Sequence, residues 1–184
     1  YTFIDGLHLF VEMPDDKFEP RIADQRIGYF SEKVTDLSTY DSNNARDLIN
    51  RWRLVKKDPD AELSEPEQPL VYWVENSTPE EIRPFVVKGI EAWNKAFEKA
   101  GFKNAIVAKI QPDDAEWDAG DVRYNVVRWA STPSPRYSGY GPSVANPRTG
   151  EIIAADIVQE FNAIKRGYTY RKLWGYTEEN DPLE

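Results

Sequence analysis

The clearest pattern along the chain is a change from β-type to helical spacing of apolar residues after residue 74. Residues 70–74 (LVYWV) are almost continuously apolar and β-prone, which predicts a buried strand. The apolar residues that follow recur at i, i+3, i+4 and i+7, which predicts a long amphipathic helix that is capped by Ser77 or Thr78, begins at Pro79 and stops at Gly101. Its core-facing stripe is Ile82, Phe85, Val86, Gly89, Ile90, Trp93, Ala96, Phe97 and Ala100. Pro84 lacks the amide hydrogen that an interior position needs, so we expect the first turn to be kinked or separate.

Three further segments have the composition of strands. Residues 102–110 (FKNAIVAKI) and 122–130 (VRYNVVRWA) are rich in β-branched and aromatic side chains, and 138–145 (SGYGPSVA) predicts an edge strand. A turn at 146–150 then leads into a strand that ends in acidic residues. A strand, helix, strand order implies a right-handed crossover and a parallel first pair, with the last strand or two added antiparallel. The predicted fold class is therefore α+β, a mixed twisted sheet backed by one long helix.

The first 62 residues have a different pattern. Short β-type runs are interrupted by Pro14, Pro20 and Asp24, which predicts an extended arm with little core of its own. Within residues 43–57, Ala45, Leu48, Ile49 and Trp52 have helical spacing, so we expect a short helix there. Residues 58–69, with three prolines and five carboxylates, predict a linker or surface loop.

Length and composition limit the number of domains and the kinds of partner. A chain of 184 residues with 40% hydrophobic residues can hold one ordinary domain with a lead-in segment. We assign 1–62 to the arm, 63–182 to the domain and 183–184 to a possible cloning scar. The net charge of −9 disfavours nucleic-acid binding, and no apolar run approaches the ~18 residues of a membrane span. Because there is no Cys, disulfides and thiolate nucleophiles are excluded.

Few residues in the sequence suggest chemistry. The single histidine, His8, lies in a β-like run and is assigned a structural role, and no His-Glu-x-x-His zinc motif is present. The acidic loop 113–121 does not have EF-hand spacing, so we expect a solvated loop rather than a calcium site. Glu151, Asp156 and Glu160 suggest a paired-carboxylate acid/base site, but carboxylates at exposed strand ends are usually solvated. Helical spacing alone explains Trp93 and Phe97 as core residues.

Five stretches, in order, resemble one protein family. They are FVEMPDDKFEPR (10–21), RWRLVKKDPDAELSEP (51–66), GIEAWNKAFEKAGFKNAI (89–106), VRYNVVRW (122–129) and YGPSVANPRTGEII (140–153). Together they resemble large bacterial zinc-dependent metalloproteases of metzincin-like type, whose flanking regions are domains of unknown function. The likeness covers about residues 7–161.

The resemblance implies the N-terminal half of a metzincin-like catalytic domain. In such proteases the next element is the helix with the His-Glu-x-x-His motif, so the zinc ligands and general base are expected outside this chain, which has no catalytic or metal-binding residue of its own. The edge strand matches the strand that pairs with an extended substrate, and its glycines permit close backbone approach. The implied substrate-binding residues are Gly139, Tyr140, Gly141, Ser143 and Val144.

The implied partners are a peptide or protein substrate and the remainder of the catalytic domain. By the same resemblance, the intact protein is expected to be exported to the periplasm, outer membrane or extracellular space. The sequence leaves alternatives open. The same edge can serve a non-catalytic peptide- or protein-binding module that never held a metal, or the chain can be an inert structural domain of a cell-surface protein. From spacing alone, the Gly- and Pro-rich edge is also compatible with ordinary steric needs.

Overall fold

The computed structural model describes residues 9–15, 17–42 and 44–175. The strands are β1 Ser31–Thr35, β2 Ala45–Ile49, β3 Leu70–Val74, β4 Ile106–Ile110, β5 Asn125–Ala130, β6 Gly139–Tyr140, β7 Ser143–Ala145, β8 Ile152–Ala155 and β9 Ile157–Glu160. The helices are α1 Arg83–Glu91, α2 Asn94–Lys99 and α3 Phe161–Leu173. The chain divides into two compact units. Unit 1 is Tyr1–Arg53 with Ala145–Ile153, and unit 2 is Leu54–Val144 with Ala154–Glu184. The division into an arm (1–62) and a domain (63–182) stays a prediction.

Unit 1 is built on an antiparallel pair of strands. β1 pairs with β2 from Ser31↔Ile49 to Thr35↔Ala45, and Ile22 bridges Leu48. The helix predicted within 43–57 is therefore wrong. Residues at helical spacing over so short a run also fit a strand, and hydrogen bonds to residues distant in sequence decided the outcome. Phe18, Leu48 and Ile49 are buried.

Unit 2 contains a five-stranded mixed sheet in the order β4-β3-β5-β9-β6. β3 is parallel to β4 and β5, β9 is parallel to β5, and β6 is antiparallel to β9. The predicted α+β class with a mixed sheet is confirmed. Leu70, Tyr72 and Val74 alternate as buried residues along β3, as expected for a strand with a covered face.

The long helix of the prediction is shorter and divided. α1 begins at Arg83, so Pro84 lies in the first turn, and a separate turn precedes it with Pro79 O accepting from the amides of Ile82 and Arg83. The expected break at Pro84 is thus confirmed. A second break follows α1, where Trp93 N donates to Ile90 O and α2 begins at Asn94.

The predicted core stripe of this helix is only partly buried. Val86 and Ile90 are buried in α1, which contacts β3 and β4. Trp93 and Phe97 were both assigned to the core. The assignment is wrong for Trp93, which is 64% exposed, and Phe97 is half-buried. The helical spacing predicted one continuous stripe, but the helix breaks after Glu91, and even within α1 Phe85 is 73% exposed, so only Val86 and Ile90 of the stripe are buried.

The predicted loop 58–69 is an ordered part of unit 2. Ser64 and Pro66 are buried and bridge Phe102 and Lys56 respectively. Lys56 Nζ donates to the carbonyls of Ala61 and Glu62 at 2.8 and 2.9 Å. The segment is therefore held to unit 2 by hydrogen bonds rather than acting as a free linker.

The predicted turn before the last strand is a hairpin between β7 and β8. Asn146 O accepts from the amides of Thr149 and Gly150, and Gly150 has a φ of +75°. A Cβ at Gly150 would lie 2.4 Å from Ile49 O, so both the conformation and the space require glycine. Over the described residues, no helix is long and apolar enough to cross a bilayer.

Candidate functional site

The outermost strand of the five-stranded sheet is β6, the centre of the predicted substrate-binding edge. β6 pairs with β9 through Gly139↔Gln159 and Tyr140↔Val158. Gly139 and Gly141 are exposed, and half of the Tyr140 side-chain surface is accessible. These three predicted site residues therefore lie together on a sheet edge with which no further strand of the described residues pairs.

The hydrogen bonds on both sides of β6 show which backbone groups face outward. Glu160 N donates to Ser138 O at 3.2 Å, and Asp156 N donates to Pro142 O at 3.0 Å. In an antiparallel ladder, alternate residues direct their N–H and C=O groups to the same neighbour. Residues 138, 140 and 142 therefore face β9, and the backbone groups of Gly139 and Gly141 point away from the sheet.

The two glycines differ in how closely β9 approaches them. A Cβ at Gly139 would lie 2.8 Å from Val158 O, closer than real Cβ atoms come, whereas a Cβ at Gly141 would lie 3.5 Å from Asp156 O. A side chain is thus excluded at Gly139 by the neighbouring strand, while Gly141 has ordinary van der Waals space. The close approach of β9 therefore explains why residue 139 is a glycine, but it does not explain the glycine at 141.

The other two predicted site residues belong to a different sheet. Ser143 and Val144 are exposed and lie in β7, which pairs with β8, so the expected strand 138–145 is divided at Pro142. The structure brings together Gly139, Tyr140 and Gly141 and does not place Ser143 and Val144 on the same edge. Tyr140 packs edge-to-face on Tyr137, with ring centroids 5.0 Å apart.

Glu160 is a buried carboxylate at the junction between β9 and α3. Its side chain is 1% exposed, and its Oε1 accepts from Thr132 N at 2.9 Å and from Asn162 N at 3.4 Å. These N–H donors, the Thr132 amide first, hold the pKa of Glu160 below its usual value. It acts as the N-cap of α3, and its Oε2 has no hydrogen-bond partner among the described residues. The expectation that Glu160 is solvated is wrong.

Asp156 is partly buried and holds strand ends together. Its Oδ1 accepts from Val126 N at 3.0 Å, and burial raises its pKa. Burial, with a contribution from the charge of Asp156, raises the pKa of Tyr72 to about 12. Both groups are explained by packing around the parallel strands rather than by acid/base chemistry.

Unit 2 contains a polar cleft of about 350 Å³ between the loop after β5 and α3. One wall is the loop segment Pro133, Ser134 and Pro135, and the other is one face of α3: Asn162, Lys165, Arg166 and Thr169. The Asn162 side-chain amide donates to Thr132 O, which ties the loop to the helix. The cleft was not predicted, because its walls follow β5 and β9, which are distant in sequence and meet through the pairing of those two strands.

Unit 1 contains a separate cluster of charged groups around Glu151, which is 5% exposed. Glu151 Oε1 lies 3.3 Å from Arg53 Nε, and Arg53 also binds Asp15 Oδ1 at 2.6 Å. Burial raises the pKa of Glu151 despite the two arginines nearby. Arg51 stacks over the Phe18 ring at 4.1 Å and donates to Glu19 O at 2.5 Å. The expectation that Glu151 is solvated is also wrong, and its environment is that of a structural ion cluster.

The structure offers no metal centre in the part of the chain that it describes. No group of three or more His, Cys, Asp or Glu side chains is placed to share an ion there. In the acidic loop, Asp118 Oδ1 accepts from Gly120 N, while Arg123 binds Asp121 and lowers the pKa of that carboxyl to about 2. His8 and residues 183–184 lie outside the described residues.

Comparison with known proteins gives one match. A family model described as "Domain of unknown function (DUF5117)" matches residues 6–57, less than a third of the chain. No curated protein and no solved structure matches. The matched segment lies almost entirely in the first part of unit 1, and its description states no activity.

Proposed function

We propose that this chain is part of a zinc-dependent metalloprotease, to which it contributes the sheet and the substrate-binding edge, and that it is inactive alone. The observation that carries the proposal is the outer edge of β6, unpaired among the described strands, where Gly139 and Gly141 direct their backbone groups outward. Such an edge binds an extended peptide through main-chain hydrogen bonds, whatever the peptide's side chains. A protease that cleaves many sequences needs this kind of recognition.

In the proposed intact protein, zinc would be held by residues outside this chain and would supply the Lewis acid that activates water for attack on the peptide carbonyl. The role of this chain's residues is to position the peptide. Gly139, held tightly against Val158, fixes the edge in place, and Gly141 supplies an outward N–H and C=O. By the family resemblance, we place the intact protein among exported bacterial proteins.

The test of the metalloprotease is a comparison between this chain and a longer one that continues into the parent gene. Both are assayed for bound zinc and for chelator-sensitive peptide cleavage. Zinc and activity confined to the longer chain support the proposal. A parent gene with no His-Glu-x-x-His downstream rules out the protease and leaves the second candidate, a non-catalytic peptide-binding module that uses the same edge.

A matched pair of variants tests peptide binding at the edge in either case. Gly141→Pro removes an N–H that faces away from β9, so no hydrogen bond of the sheet is lost. Gly141→Ala retains that N–H. Since one hydrogen bond contributes about 0.5–1.5 kcal/mol net, we expect G141P to weaken binding of an extended fluorescent peptide roughly 2- to 13-fold relative to G141A. Equal binding by the two variants would exclude pairing through Gly141.

A further inference from the structure

We propose that the cleft between residues 133–135 and α3 binds a carboxylate of the peptide docked on β6. The edge would then prefer peptides with an acidic residue toward their C-terminal end. This inference rests on the proposed peptide-binding function of the edge. It adds a class of ligand and a second recognition site that the edge alone does not define.

The first argument is the charge of α3. Its thirteen residues include Lys165, Arg166, Arg171 and Lys172 and no Asp or Glu, in a chain with a net charge of −9. Two of these cations, Lys165 and Arg166, line the cleft. The cleft is therefore lined by two cations and no carboxylate, whereas the chain as a whole is acidic.

The second argument concerns which charges in the cleft are already neutralised. Glu160 is the nearby carboxylate, and the charge of Arg166 contributes to the lowered pKa of Glu160. Arg166 Nε also donates to Asn162 O at 3.4 Å. Within the described ranges, Lys165 forms no ion pair, so one ammonium group in the cleft remains to attract an anion.

The third argument is the direction of a bound peptide. Ser138, just before β6, accepts a hydrogen bond from the amide of Glu160, the N-cap of α3, so the cleft wall formed by α3 begins at the N-terminal end of the edge strand. Antiparallel pairing is slightly more stable per residue than parallel pairing. A peptide antiparallel to β6 runs with its C-terminal part toward the cleft. Pro133 and Pro135 stiffen one wall, which lowers the entropy lost when a ligand is held there.

A carboxylate suits the polar groups of this cleft better than a neutral side chain does. Lys165 supplies a charged donor and Ser134 a hydroxyl, whereas the Thr169 hydroxyl and the Asn162 amide already donate to Lys165 O and Thr132 O. Hydrogen bonds between charged groups are about twice as strong as neutral ones. A glutamate or aspartate side chain, or a peptide C-terminus, provides such an acceptor and is small enough to enter the cleft.

The experiment uses the 184-residue chain and two fluorescent extended peptides that differ only by Glu or Gln near the C-terminal end. We expect the Glu peptide to bind about tenfold more tightly, since one charge-assisted hydrogen bond has about this effect. Lys165→Gln should reduce the preference to within about twofold. Lys172→Gln is the matched control, because it removes the same charge from α3 outside the cleft, and it should retain the preference.

The possible outcomes separate this inference from the edge proposal. If both peptides bind equally and G141P weakens both, the edge proposal stands and the carboxylate site is wrong. If neither peptide binds, both proposals fail. If K165Q and K172Q weaken the Glu peptide equally, the general charge of α3 is responsible and the cleft is not a site. Tighter binding of phosphatidylserine vesicles than of the Glu peptide, equally sensitive to both substitutions, would assign α3 to a membrane surface and overturn the inference.

Discussion

The close contact between Gly139 and β9 allows a sharp test of the edge geometry. Gly139→Ala places a Cβ 2.8 Å from Val158 O, about 0.6 Å inside the 3.4 Å limit of ordinary contact. Neither the Val158 carbonyl nor the Gly139 backbone is a flexible side-chain end, so β6 must move away from β9. Gly141→Ala introduces the same methyl group at 3.5 Å from Asp156 O, where no movement is needed.

The magnitude follows from the hydrogen bonds beside Gly139. The Glu160 N to Ser138 O distance is already 3.2 Å, and a further 0.6 Å takes it beyond hydrogen-bonding range. Loss of this bond and weakening of the Tyr140↔Val158 pair cost about 2 kcal/mol in total. Replacing glycine by alanine also stabilises a compatible site by about 0.4–1 kcal/mol through the unfolded chain. We therefore expect G141A to be at least as stable as the wild type and G139A to be about 2 kcal/mol less stable than G141A.

Hydrogen exchange and urea unfolding measure this difference. In G139A, the amide hydrogens of Glu160 and Val158 should exchange faster through local opening of the edge, whereas those of β3 in the sheet interior should accelerate no more than the lower global stability requires. In G141A, exchange of the same amides should match the wild type. Equal exchange and equal stability of the two variants would refute the assignment of Gly139 to the strand edge packed against β9.

Three further predictions concern the ion cluster and the helix. Burial raises the pKa of Glu151, so the folded state binds its proton more tightly than the unfolded state, and stability falls as pH rises above 4.5, the ordinary pKa of a glutamate. Glu151→Gln should remove this part of the pH dependence of stability and raise the melting temperature at neutral pH. A urea unfolding midpoint of the wild type that does not change from pH 4 to pH 7 would contradict this reasoning. Arg53→Ala leaves Glu151 buried without its ion pair and should lower the free energy of unfolding in urea at pH 7 by about 2 kcal/mol. Adding Glu151→Gln in a double variant should restore most of that stability. Trp93→Ala should lower the free energy of unfolding by less than about 1 kcal/mol because Trp93 is 64% exposed. Ile90→Ala should lower it by about 2–4 kcal/mol because Ile90 is only 8% exposed. Similar losses for the two variants would place Trp93 in the core.

Much of the sheet of unit 2 was predictable because its strands are strongly apolar. Residues 70–74 form a strand as expected, and 102–110 and 122–130 contain β4 and β5. A buried parallel strand needs apolar side chains on both faces, so its signal is local and clear. The edge strand was also placed, although Pro142 divides it between two sheets.

The candidate site was only partly predictable. Gly139 and Gly141 were identified as edge residues, but the sequence does not distinguish the glycine that packing requires from the one that it does not. The burial of Glu151 and Glu160 was missed because a carboxylate at a strand end is usually solvated, and its N–H and arginine partners come from distant segments. Lys165 and Arg166 were missed because the cleft depends on the loop after β5 meeting α3.

The sequence by itself determined the class of the fold, the parallel strands and the glycine-rich edge, because these depend on side-chain periodicity and on local backbone freedom. Only the tertiary structure decided that β2 is a strand, that the helix divides after Glu91 and that Trp93 lies in solvent. It also decided which backbone groups of the edge face outward and which carboxylates are buried. These properties follow from contacts between residues far apart in the chain, whose energies exceed the weak preferences of any single segment.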